Sequence, residues 1–267
     1  MIYQKLLGAI VIGITLSSCA VHTQADNYLA KYQEAEARYM AKDYFGALQL
    51  FQETLPLLKG KKEIVQAQFH QAYAYFYQKS YKQSAHCFGH FYKNYPSIPQ
   101  AEEALYMQGY ALYLVAPRTE LDQTDTAKAI AILQNYLAKY PTGVYSPEAT
   151  HYLAVLDDKL ANKAFMNAQL YYQLSHYQAA VVSLTNFQQD FPDADNQEQA
   201  AYLKLMAQHK LAQKSKQEEQ NSKLRFAIRY CQDFIDHYPN SKHIKMVNAI
   251  YKNALVQLEK LIKAKMP

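Results

Sequence analysis

The side chains able to do chemistry are few, and their spacing serves it poorly. His86 and His90, in His-Cys-Phe-Gly-His, stand four apart on one helix face, which suits two metal ligands. The stretch lacks the Glu of a zincin motif, and no second pair with matching spacing follows. Adjacent carboxylates at Asp157-Asp158 and Glu218-Glu219 point different ways on helix or loop and read as solvated charges. No phosphate-binding glycine loop, nucleophile elbow or paired-cysteine motif occurs, and seven glycines are too few for several such loops. The expectation is a chain with no catalytic residues, no metal and no cofactor, hence not an enzyme. Cys87 and Cys231 read as small buried apolar residues, too far apart in the repeat described below to be joined.

Cys19 is different in kind. Lys5 supplies a positive start, Leu6 to Leu16 is an apolar run of eleven residues, and Leu16-Ser17-Ser18-Cys19 follows. A run this short is a signal-peptide core, because a membrane-spanning helix needs about 20 residues. The small residues before the cysteine match a bacterial lipobox. Residues 1–18 are therefore expected to be a lipoprotein signal, Cys19 the lipidated, palmitate-bearing first residue, and 19–27 a polar tether. Ala20 in place of aspartate points to the outer membrane, and the absence of acidic residues from Ala20 to Ala25 argues against export to the cell surface. Removing Lys5 lowers the formal charge from +5 to +4, too mild for nucleic acid. Much of the excess sits at Lys242, Lys245, Lys252, Lys260, Lys263 and Lys265, which suit the solvated face of a terminal helix.

The elements that position these groups follow from a repeat. Helical stretches end in an aromatic residue and proline at Tyr95-Pro96, Tyr140-Pro141, Phe191-Pro192 and Tyr238-Pro239, with spacings of 45, 51 and 47 residues. Proline cannot donate to a helix ladder and pushes the preceding residue out of the helical region. Twelve residues before each proline stand Ser84, Ala129, Ala180 and Ala227, where a close helix crossing requires a small side chain. Eight before it come Phe88, Leu133, Leu184 and Cys231, and five before it Phe91, Tyr136, Phe187 and Phe234. Small residues also recur on the first helix of each pair, at Ala72, Gly109, Ala168 and Ala207; Ala35, Ala47 and Phe51 repeat the pattern at the front. This is the register of tetratricopeptide (TPR) units of about 34 residues. The predicted fold is all-α: an α-solenoid of about five TPR pairs over 28–267, at 28–61, 64–96, 100–141, 148–192 and 197–239, with a closing helix at 241–265. Units three and five carry surplus residues at Val115–Thr124 and Lys214–Lys223, read as loops or helix extensions.

Tyrosine is unusually abundant: 25, with 11 phenylalanines and no tryptophan. In a TPR array the first helix of each pair lines the concave surface. The register places Tyr32 and Tyr39 there in unit one, Phe69, Tyr73, Phe76 and Tyr77 in unit two, and Tyr106, Tyr110 and Tyr113 in unit three. About half of these rings are expected to pack between helices. The rest would line a groove suited to an aromatic-rich extended peptide, since rings give large contact area at low entropy cost.

The lipobox, tether, five pairs and closing helix together resemble the BamD family, the lipoprotein of the β-barrel assembly machinery, over essentially the whole chain. The most specific segments are Tyr136-Leu-Ala-Lys-Tyr-Pro141, Ser146-Pro-Glu-Ala149, Lys159-Leu-Ala-Asn-Lys163, Tyr171-Tyr172, Tyr177-Gln-Ala-Ala-Val-Val182 and Asp190-Phe-Pro-Asp193, with a long helix from Glu148 to about Tyr172. The resemblance implies an outer-membrane scaffold, lipid-anchored and facing the periplasm. Its carboxy-terminal units would dock on the periplasmic domains of a BamA-like barrel insertase. Its amino-terminal units would receive the aromatic carboxy-terminal strand of unfolded outer-membrane protein clients. In one respect the chain departs: family members pair with the insertase through a basic residue on the second helix of unit four, and Tyr177 to Asp190 has no Lys or Arg. Asn186, Gln188 or Gln189 would have to replace it. The alternative function is a TPR lipoprotein recruiting peptidoglycan enzymes; a glycan-binding role is disfavoured by the absence of tryptophan.

Overall fold

A computed structural model describes residues 28–264; the signal, Cys19, the tether and Lys265 lie outside the described residues. Among those residues the chain forms eleven helices and no strand. They are α1 (28–40), α2 (Tyr44–Thr54), α3 (Glu63–Tyr77), α4 (Tyr81–Asn94), α5 (Gln100–Val115), α6 (Thr124–Lys139), α7 (Ser146–Gln173), α8 (Tyr177–Asp190), α9 (Gln197–Lys214), α10 (Gln217–His237) and α11 (Ile244–Lys263). The surplus of unit five is mostly an amino-terminal extension of α10, whereas that of unit three is non-helical.

Two compact units divide the chain. The first holds residues up to Pro117 with Asp122–Leu156; the second holds Arg118–Leu121 and Asp157 onward, so α7 runs through the division. Within the first, a core forms from Ala35, Ala47, Phe51, Leu58 and Ala67. Within the second, Ala161, Phe165 and Ala168 of α7 meet Leu184 and Phe187 of α8 and Ala200 and Leu203 of α9. Leu205, Cys231, Phe234, Val247 and Ile250 then join α9, α10 and α11.

The register accounts for this core position by position. Ser84, Ala129, Ala180 and Ala227 are fully buried, as are Phe88, Leu133, Leu184 and Cys231 one turn on. At the Gly109 crossing a Cβ would come within 2.6 Å of Leu133 Cδ2, so α5 approaches α6 there only without a side chain. Cys87 and Cys231 are free thiols, and burial pushes them up to about 11 and about 12.

Two local devices recur. The aromatic residues before the four prolines share one backbone state, φ between −128° and −131° with ψ 55° to 65°, and each donates its N–H to the carbonyl four residues back. The turns within pairs one, two and four instead pass through a left-handed residue: Lys42 (φ 62°), Lys79 (60°) and Ser175 (62°). Each is a Schellman turn; in the second, Ser80 N–H donates to Tyr75 O at 3.0 Å and Lys79 N–H to Phe76 O at 2.9 Å. A ring pair brackets every one, Tyr39 with Tyr44, Phe76 with Tyr81 and Tyr172 with Tyr177, at 5.8, 5.4 and 5.9 Å between centroids.

Candidate peptide-binding face

The first compact unit carries an unbroken path of ring contacts. It begins on α1, where Tyr39 meets Tyr44 of α2 edge-on, and Tyr44 stacks on Tyr77 of α3 at 4.7 Å and 24°. Along α3, Tyr77 stacks on Tyr73 at 5.8 Å, and Phe76 passes the path to Tyr110 of α5 at 5.7 Å. Tyr110 lies between Tyr106 and Tyr113 on its own helix, at 5.9 and 6.2 Å, and stacks on Tyr152 of α7 at 5.0 Å. The three- and four-residue spacings on α3 and α5 put these rings on one face of each helix. Every such pair adds about 0.5–1.5 kcal/mol beyond its area burial, so the rings hold each other in place.

The nine groove residues expected from the sequence divide by burial. Tyr77 is 50% exposed, and Tyr73, Phe76, Tyr110, Tyr113, Tyr39 and Tyr32 are half-buried. Phe69 and Tyr106 are corrections to the expected lining: 8% and 6% exposed, they belong to the core. Phe69 points between α3 and α4 onto Phe88 and Phe91, and Tyr106 is covered by Tyr145, stacked at 4.4 Å and 7°. Tyr32 packs on the first core cluster. Sequence reasoning missed Tyr44, Tyr145 and Tyr152, which complete the path.

The polar groups among the rings are carboxylates and one histidine. Tyr73 donates its hydroxyl to Glu103 of α5; burial, then that hydrogen bond, drives its phenol far above the ordinary range. Glu36 Oε2 lies 2.6 Å from His70 Nδ1, and the imidazole stacks on Tyr39 at 4.2 Å. Burial and the Glu36 charge push Tyr32 up to about 12. Beneath the face, Glu102 Oε1 accepts from the Tyr136 hydroxyl and from Val144 N–H, both at 2.9 Å, which ties α5 to α6 and to the turn entering α7. His86 and His90 are exposed, the latter against Asn94, and among the described residues no group of three or more His, Cys, Asp or Glu is placed to hold a metal ion.

The second unit presents a different surface. Leu170, Leu174 and Val182 are about half exposed, and Val182 lines a pocket of about 660 Å³ where α7 turns into α8, with Tyr171, Tyr177 and Leu211. Lys214 Nζ sits 4.9 Å from the Tyr177 ring centroid. Asn186 is exposed, whereas Gln188 is half-buried and accepts from Lys204 of α9. Lys204 also lies 4.8 Å over the Tyr230 ring, and burial lowers its pKa. A basic group therefore stands against α8 although α8 contains none. No helix among the described residues is long and apolar enough to cross a membrane.

Comparison with known proteins agrees with this architecture. Residues 24–224 match the sequence pattern of the YfiO family, described as outer membrane lipoprotein. The outer membrane protein assembly factor BamD of Rickettsia prowazekii is 22% identical over 254 residues, 93% of this chain and 97% of that protein. Its namesake from Neisseria gonorrhoeae is 23% identical over 196 residues, 66% of this chain and 73% of that one. A TPR repeats protein from Bacteroides fragilis superposes with a TM-score of 0.40 at 16% identity, over 85% of this chain and 98% of that chain. So loose a superposition adds nothing to the helical pairs themselves, but the sequence match spans well over half of the residues. The chain belongs to the YfiO family, the BamD-like outer membrane lipoproteins.

Proposed function

We propose that this chain is a non-enzymatic scaffold in the assembly of outer-membrane β-barrel proteins, anchored through lipid on Cys19 and facing the periplasm. The aromatic face of the first unit receives extended strands of unfolded clients, and the second unit docks on the periplasmic domains of a BamA-like insertase. The observation that carries the reading is the continuous path from Tyr39 to Tyr152. Barrel strands alternate aromatic residues on one face, and a row of supported, partly exposed rings offers them stacking contacts on successive side chains. The half-exposed apolar residues around the α7–α8 turn, with Asn186 beside Leu170 and Leu174, support the second contact; Lys204, bonded to Gln188, would supply from α9 the basic group that α8 lacks. The family match and the assembly role named for its relatives support the cellular setting.

Tyr73→Ala with Tyr77→Ala tests the first contact. Two supported rings are lost, so affinity for a peptide copying a barrel protein's terminal strand should fall at least tenfold. Helix content by circular dichroism should stay unchanged, because Tyr77 is half exposed and Tyr73 lies at the margin of the core. Unaltered affinity would remove the aromatic face from the mechanism.

A further inference from the structure

The charges set among the rings share one sign. Glu103 on α5 takes the Tyr73 hydroxyl, and its charge also reaches Tyr39, Tyr77 and Tyr145, whose phenols are raised by burial first and by carboxylates besides. Glu148, in the first turn of α7, acts in the same way on Tyr106, Tyr145 and Tyr152. Neither Glu103 nor Glu148 has an ion-pair partner among the described residues. Several cations of the same unit are engaged elsewhere: Arg38 with Glu34 and Asp43, Lys31 with Glu53, and Lys82 and Lys128 with Asp125. Glu102 differs from these carboxylates because it is already satisfied by Tyr136 and Val144.

We infer that the aromatic face selects an extended segment carrying Lys or Arg beside its aromatic residues, and disfavours a free terminal carboxylate. The inference rests on the reading of this face as a strand-binding site and specifies how the strand lies. Its rings stack on Tyr73, Tyr77 and Tyr110, a basic side chain reaches Glu103 or Glu148, and a chain terminus stays outside. Two forces act together on the basic side chain. The unpaired carboxylates attract it, and exposed tyrosine faces attract cations through the ring quadrupole. A terminal carboxylate meets the reverse of both.

Three fluorescent peptides of one alternating aromatic sequence test this by anisotropy against the full chain in mild detergent: a free acid, its amide, and the amide with one serine replaced by lysine. The amide should bind roughly three- to tenfold tighter than the acid at low salt, and the lysine peptide tighter again by a similar factor. Both differences should shrink to within twofold at about 0.5 M salt and in the Glu103→Gln, Glu148→Gln double variant, which keeps the side-chain shapes. Equal binding of all three peptides, or tightest binding of the acid, would overturn the selectivity and leave the strand-binding reading standing. Failure of every peptide to bind would overturn both.

Discussion

Tyr136→Phe isolates the junction that holds the aromatic face to its foundation. The Tyr136 ring is fully buried on α6, and its hydroxyl both donates to Glu102 Oε1 at 2.9 Å and accepts the Tyr145 N–H at 3.1 Å. Gly143 makes room for the arrangement, since a Cβ there would stand 2.3 Å from Glu102 Oε1 and 2.6 Å from the Tyr136 hydroxyl. Phenylalanine keeps the ring and deletes the junction. A hydrogen bond to a charged group contributes about 1.5–3 kcal/mol, and an orphaned backbone donor costs about 1–3 kcal/mol. The Tyr145 turn is only half-buried, so water recovers part of the second cost, and the expected loss is about 2–3 kcal/mol, below the sum of the two. Helical arrays open by parts, so a global melt would blur the effect. Amide hydrogen exchange on α5, α6 and residues 143–146 reads it locally, and 2–3 kcal/mol corresponds to roughly 30- to 150-fold less protection. Glu102→Ala should couple with it by at least 1 kcal/mol in a double-mutant cycle. A loss of protection below threefold, or strict additivity, would refute the junction.

Other outcomes follow from the same physics. Lys79→Gly should stabilise the α3–α4 pair by about 0.5–1 kcal/mol, because glycine adopts the left-handed conformation without a Cβ clash; Lys79→Ala, with no such relief, should give no gain, and equal urea midpoints for the two would count against the argument. Tyr32 and Tyr136 are both raised to about 12 from an ordinary 10, by burial first and then by Glu36 or by the hydrogen bond to Glu102. The folded chain therefore keeps these protons longer than the unfolded one, so their contribution is complete below pH 10 and disappears as pH rises through 12. In a Cys87→Ala, Cys231→Ala background, which removes the two raised thiols that would titrate earlier, urea midpoints should agree closely at pH 8 and 9.5 and fall by pH 11; a flat profile to pH 12 would refute the assignment. Cys19→Ala should leave a folded protein that no longer fractionates with membranes, and retained membrane association would show that a partner rather than lipid holds it there.

Much of the fold was legible because the repeat imposes the same steric demand at fixed offsets. Ser84, Ala129, Ala180 and Ala227 share no chemistry except smallness, and all four are fully buried at helix crossings. The face was legible only in part. Whether an aromatic residue lines a groove or fills a core depends on what covers it, which periodicity does not encode. Phe69 meets Phe88 and Phe91, and Tyr106 meets Tyr145, so both turned inward. Tyr145 and Tyr152 were missed because the expected lining ended with unit three: Tyr145 precedes the helix expected from Glu148 and Tyr152 lies on the first helix of unit four, yet both meet rings of α5 in space. Lys204 was missed because it belongs to α9 and reaches α8 only in space.

Tyr44 shows why a surface of this kind is cheap to build on such a repeat. It belongs to the ring pair that brackets the left-handed turn at Lys42, and Phe76 belongs to the equivalent pair around Lys79. Those rings pack across the turns, a structural role independent of anything the chain binds. In the first unit they are also the links through which Tyr39 reaches Tyr77 and Tyr77 reaches Tyr110. In the second unit the third such pair, Tyr172 with Tyr177, contributes Tyr177 to the lining of the apolar pocket. The turn device thus supplies each unit with a fixed, partly exposed ring, and specificity needs only the neighbours: tyrosines and unpaired carboxylates around one, aliphatic side chains and a lysine around the other. On this argument, loss of a bracketing ring should cost its turn as well as binding, whereas loss of Tyr110 or Tyr152, which bracket no turn, should cost their stacking contacts and binding but leave the turns intact.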